Sequence, residues 1–156
     1  MTSDQPSPPL ESRLGYLLKH AQLRLTEASA RALAPFDLDG RELAVLAVLT
    51  TGTPLSQVEA AGRLGVDRTT MVALIDALEG KGLVERRRSA EDRRRNTVHP
   101  TPVGQERLRQ AERAREEMER RFLAPLGEAL AADLVGALRT LVGAEQAAAD
   151  GLTNDN

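Results

Sequence analysis

Apolar residues recur at three- and four-residue intervals through most of the chain. Leu14, Leu17, Leu18, Ala21, Leu25, Ala28 and Ala32 share one face when wound at helical pitch, which predicts a first helix from Leu10 to about Ala34. Pro35 and the segment FDLDG interrupt it. Asp39, followed by Glu42, makes an acidic form of the capping box ahead of the short, very apolar helix RELAVLAVLT. After the turn Thr51-Gly52-Thr53-Pro54, Ser56 and Glu59 repeat that signature at the start of SQVEAAGRLG. Gly65 stops this helix, and Asp67 is placed to accept the unpaired N–H groups of the next, RTTMVALIDALEG. Met71, Leu74, Ile75 and Leu78 form its inward side, and Gly80 and Gly82 end it. Two short helices joined by Gly-Val-Asp have the dimensions of a helix-turn-helix.

The periodicity then changes. Leu83-Val84-Glu85-Arg86 reads as an extended segment, and Asn96-Thr97-Val98-His99 as its returning partner, so a hairpin follows whose loop holds most of the arginines. Thr101-Pro102 has the form of a cap followed by proline in the first helical position. The helix it opens runs to about Phe122 on a thin stripe of Leu108, Ala111, Arg115, Met118 and Phe122. Beyond Ala124-Pro125 a last helix carries Leu126, Leu130, Leu134, Leu138 and Val142 at four-residue spacing, with Leu141 beside them. Such a ridge must be covered. Residues 1–9, with three prolines, are expected to form a disordered arm, and residues 153–156 a frayed tail.

Composition sharpens this into a mainly α protein with a small β-hairpin wing. Hydrophobic residues make up 41% of the 156 but aromatics only 2%, so the core is built from aliphatic side chains on helices. The absence of cysteine excludes disulfides, thiolate metal sites and cysteine nucleophiles. No apolar run reaches the roughly 18 residues of a membrane span, and the N-terminal stretch lacks a hydrophobic signal core, which predicts a cytoplasmic protein with no membrane partner. The formal net charge of −2 argues against nucleic acid, but its distribution argues for it. RRRSAEDRRR, from Arg86 to Arg95, sets six arginines against Glu91 and Asp92. A local basic spike on a near-neutral chain suits a small phosphate-contacting surface.

The stretch from Leu55 to Gly104, with GVDRTT heading the fourth helix, LEGKGLVERR leading into the hairpin and DRRRNTVHPTPVG leaving it, resembles the MarR family of bacterial winged helix-turn-helix regulators. The resemblance extends from Leu10 to Leu152. It implies a single domain over 10–152, with 10–36 and 101–152 as dimerisation helices around a winged lobe at 37–100. It also implies a homodimer that presents two winged helices to successive major grooves of a pseudo-palindromic duplex, acting as a repressor tuned by a small-molecule effector. Pro100 stands where the family has leucine, and because proline lacks an N–H the second strand is expected to be short. Ala73 replaces a polar residue that faces DNA in many members.

Candidate site residues follow from this frame. Arg68, Thr69 and Thr70 occupy the first turn of the recognition helix, whose N-terminal residues point at base edges or phosphates. Ser56 is expected to serve as a cap and as a phosphate donor, and Gln57, expected to be exposed beside it, is a second candidate phosphate contact at the start of the third helix. By resemblance, Asp92 orients the wing, Arg94 enters the minor groove, and Arg93 and Arg95 lie nearer phosphates. Arg86, Arg87 and Arg88 alternate strand faces, so at least one should pair internally. Leu14, Leu17, Leu126, Leu130, Leu134 and Leu138 are the expected dimer interface. By resemblance an effector pocket lies between the dimerisation helices and the DNA-binding lobe, and Tyr16, His20 and Phe36 are the only first-lobe side chains with aromatic surface for a planar ligand, although core packing is the favoured reading of Tyr16 and Phe36. No metal or other cofactor is expected, because the two histidines lack ligand spacing. No catalytic motif is present, so an enzyme is not expected. The alternative is a winged-helix adaptor that binds protein partners and never touches DNA.

Overall fold

The computed structural model describes residues 9–89 and 96–152. A short 3-10 turn, Leu10–Ser12, precedes α1 (Leu14–Leu33); Arg13 is extended, so the first helix starts later than its apolar periodicity predicts. A second 3-10 turn, Ala34–Phe36, leads to α2 (Gly40–Thr50), then α3 (Gln57–Leu64) and α4 (Arg68–Gly80). The hairpin of β1 (Val84–Arg88) and β2 (Asn96–Pro100) is followed by α5 (Pro102–Leu123) and, after the turn Ala124–Leu126, by α6 (Gly127–Leu152). None of the helices is long and apolar enough, among the described residues, to cross a membrane.

Local chemistry explains most of these boundaries. Asp39 Oδ1 accepts from the N–H groups of Arg41 and Glu42 at 2.8 Å, and the Glu42 carboxylate accepts from Asp39 N–H at 2.9 Å, completing the capping box that starts α2. Ser56 and Glu59 do the same for α3. At the start of α5, Thr101 Oγ1 accepts from Gly104 N–H at 3.0 Å and donates to the Gly82 carbonyl at 2.7 Å. One hydroxyl thus caps a helix and ties it to the end of α4.

The chain divides into two compact units, one through Met118 and the other from Glu119, so the division falls inside α5. In the first unit, Leu43, Val45, Leu46 and Leu49 of α2 pack with Met71, Ile75 and Leu78 of α4, Leu83 and Val84 before and in β1, and Val98 of β2. Leu33 from the end of α1, and Leu108 and Ala111 from α5, belong to the same core. The helices flanking 37–100 therefore supply part of the core of the winged lobe. In the second unit Leu130, Leu134, Leu138, Leu141 and Val142 are exposed in the isolated chain.

The hairpin is antiparallel, with Val84 opposite Pro100 and Arg88 opposite Asn96. Pro100 does not shorten β2. It stands at the strand end, where the missing N–H costs no interior ladder bond. Val98 N–H also donates to the Leu55 carbonyl at 2.9 Å, so the wing is anchored to the residue just ahead of the α3 cap.

Candidate nucleic-acid interface

Gly65 ends α3 at φ 62°, a left-handed conformation that favours glycine, and Val66 N–H closes the turn on the Ala61 carbonyl at 3.1 Å. This turn aims α4. Asp67 caps α4, its Oδ1 accepting from Thr70 N–H at 2.9 Å and its Oδ2 from the Thr70 hydroxyl at 2.5 Å. With Met71, Ile75 and Leu78 buried on one side, Arg68, Thr69, Ala73 and Asp76 form the opposite, exposed face. Arg68 and Thr69 are exposed. Thr70 is half-buried and its hydroxyl proton is held by Asp67, which leaves lone pairs and a methyl group for any base edge.

The Thr70 hydroxyl, and after it the Thr70 backbone N–H, hold the Asp67 carboxyl below the ordinary aspartate range. Because the folded pKa is depressed, the cap contributes fully above the unfolded value and is lost as pH falls through the folded one. The Thr70 amide resonance is therefore expected to titrate with a midpoint below that of an unperturbed aspartate. A midpoint at or above it would mean that Asp67 does not hold the helix start in solution.

Ser56 is occupied as a cap, its Oγ donating to Glu59 Oε2 at 2.8 Å. Gln57 is half-buried rather than exposed, and with its amide oriented to accept, its oxygen lies 2.8 Å from Arg86 Nε. Arg86 also meets Asp76 and Glu79 of α4. It therefore pairs across elements within the lobe. Arg87 pairs with Glu85, and Arg88 is exposed. Asp92, Arg93, Arg94 and Arg95 lie outside the described residues.

One group of contacts has no local signal in the sequence. Lys81, just past α4, donates to both Glu42 carboxylate oxygens at 2.7 and 3.0 Å and to the Asp37 carbonyl at 2.7 Å. Glu42 is 6% exposed, so this ammonium neutralises a buried carboxylate. Arg107 of α5 donates to the Phe36 carbonyl at 2.6 Å. The segment between α1 and α2 is thus held from both the recognition helix and α5.

On α1 the rings of Tyr16 and His20 stack with centroids 3.9 Å apart, and His20 Nδ1 lies 2.8 Å from the Tyr16 carbonyl. A carbonyl only accepts, so in this contact Nδ1 is the donor. Tyr16 is half-buried and His20 exposed, whereas Phe36 packs against the core of the lobe. Leu14 and Leu17 are 68% and 51% exposed in the isolated chain, a large apolar surface for one helix.

The geometry is that of a helix-turn-helix with a wing, and comparison with known proteins agrees. The MarR family model matches residues 36–95. A protein of Thauera aromatica named as a transcriptional regulatory protein for the hcr operon is 32% identical over 133 residues, 85% of this chain and 80% of its own. The chain belongs to the MarR family. Its MarR-type fold is shared with the transcriptional repressor CouR bound to a 23-mer DNA duplex, at a TM-score of 0.80 and 35% identity over 90% of this chain and 99% of that one. CouR bound to p-coumaroyl-CoA gives a TM-score of 0.74 at 34% identity, over 83% and 91% of the two chains. Members of the MarR family matched here are transcriptional regulators rather than enzymes.

Proposed function

We propose that this MarR-family regulator is a cytoplasmic, homodimeric repressor that binds a pseudo-palindromic duplex, with α4 in the major groove and the arginine wing in the flanking minor groove. The observation that carries this reading is the capped α4, which presents Arg68 and Thr69 on an exposed face beside a wing anchored to the same lobe. Similarity to the DNA-bound CouR repressor over nearly its whole chain supports it. Retention on duplex DNA carrying the protein's own upstream region, measured at two salt concentrations, tests it. Phosphate contacts release counterions, so affinity should fall steeply with salt. A winged-helix adaptor would show no such retention.

The site residues divide into two roles. Arg94→Ala should weaken many operators by a similar factor, most for those with A/T-rich flanks, because the minor groove carries shape and potential rather than a unique base code. Arg68→Ala should change the base preferred under α4, costing roughly 1–3 kcal/mol at a bidentate contact. Thr70 contributes less, since its proton is already committed to Asp67. An operator library read with both variants distinguishes the roles, and an unchanged salt slope for Arg94→Ala would remove the wing from the site.

The effector class we favour is an aromatic acyl-CoA thioester. The support is the likeness to CouR in complex with p-coumaroyl-CoA and, on this chain, the stacked Tyr16–His20 pair, a planar surface with a polar edge. Adding p-coumaroyl-CoA to the protein–DNA complex should release the duplex, and the free acid should not. Equal release by both would put the recognition in the aromatic ring alone.

A further inference from the structure

Three elements meet at one side chain. The Arg86 guanidinium, on β1, pairs with Asp76 and Glu79 on α4, and its Nε lies 2.8 Å from the oxygen of Gln57, the first residue of α3. Its backbone N–H also donates to Glu79 Oε1 at 3.2 Å. The side chain is 23% exposed, well covered for an arginine in a wing. Asp76 belongs to the same exposed α4 face as Thr69 and Ala73, so the recognition helix carries a carboxylate on the side it would turn to phosphates.

Resting on the DNA-binding reading above, we propose that Arg86 is a positioning residue: it does not touch DNA but locks the wing to the recognition helix at one spacing. A two-stranded hairpin has little stability of its own, so its direction is set by whatever it is fastened to. The planar guanidinium fork fixes several partners at once in a way that a flexible ammonium does not. The same contact offsets one of the two negative charges of Asp76 and Glu79, which would otherwise repel the duplex more strongly. The consequence is a specificity determinant that reads no base. The distance between the major-groove element under α4 and the A/T-rich minor-groove flank becomes a property of the protein.

The test uses the full chain and an operator series with one or two base pairs inserted between those two elements. Arg86→Ala combined with Glu79→Gln leaves the summed charge of Arg86, Asp76 and Glu79 unchanged while removing the tie. This variant should bind the best operator roughly tenfold more weakly, the scale of one interaction within a charged network, and should lose its preference for a single spacing. Its salt slope should match that of the unmodified protein, whereas loss of a phosphate contact lowers the slope by about one. Arg86→Lys should lose the spacing preference too. Retained preference in both variants, or a slope lowered by about one in the charge-balanced variant, would overturn the assignment. Hydrogen exchange on the free protein reads the tie without DNA: amides of β2 should exchange faster in both variants while those around Ile75 stay protected, and equal wing protection would count against it. If the unmodified protein shows no salt-sensitive duplex binding, the DNA reading fails and the exchange result still decides whether Arg86 fastens the wing.

Discussion

Leu134→Glu is expected to abolish the dimer, giving a monomer or an unfolded chain in sedimentation at micromolar concentration where the unmodified protein sediments as a dimer. In the isolated chain Leu130, Leu134 and Leu138 are 55%, 39% and 39% exposed along one ridge of α6, with Leu141 and Val142 more open still. Covering what remains exposed of each leucine contributes roughly 0.6–1.6 kcal/mol, a fraction of what full burial gives. A carboxylate placed among them cannot be hydrated once the ridge is covered, and its desolvation outweighs the contribution of the leucine it replaces. Leu138→Glu should act alike, and DNA binding should fall with dimerisation because two half-sites are then no longer held together. A stable monomer of the unmodified protein would overturn both the interface assignment of Leu126, Leu130, Leu134 and Leu138 and that of Leu14 and Leu17.

Gly104→Ala should be the most damaging single-methyl change in the winged lobe. A Cβ at this position would lie 1.9 Å from the Leu83 carbonyl oxygen and 2.8 Å from its carbon. Those atoms are backbone, and the same oxygen accepts from Thr101 N–H at 3.0 Å, so neither partner can rotate away. The first turn of α5 must separate from the start of the wing, breaking the bonds that the Thr101 N–H and hydroxyl donate to the Leu83 and Gly82 carbonyls. Overpacking ordinarily costs about 1–3 kcal/mol, and a rigid backbone wall puts this substitution at or above the top of that range. Thermal unfolding should show a large loss of stability, while alanine at Gly62, which has open space around it, should leave the fold intact. Unchanged stability of Gly104→Ala would mean that the close approach does not persist in solution.

Sequence alone determined the capped borders of the helices α2, α3 and α4 of this MarR-family chain and the class of its fold. Asp39 with Glu42, Ser56 with Glu59, Gly65 and Asp67 act through hydrogen bonds to backbone groups at most four residues away, so the partners are visible in the string itself. The apolar faces of α4 and α6 are likewise local consequences of helical pitch. The later start of α1 and the full length of β2 were not legible, because each depends on the conformation of one residue, Arg13 or Pro100, in its surroundings. The candidate site divides the same way. The exposed first turn of α4 could be read from GVDRTT, but which of three consecutive arginines faces inward could not, since Arg86 finds its carboxylates only when β1 is laid against α4. Lys81 and Glu42 stand 39 positions apart, and Gly104 meets the Leu83 carbonyl across a helix start. Tertiary structure decided these contacts because charge neutralisation and close backbone approach depend on distances in space, which residue type and short-range spacing do not encode.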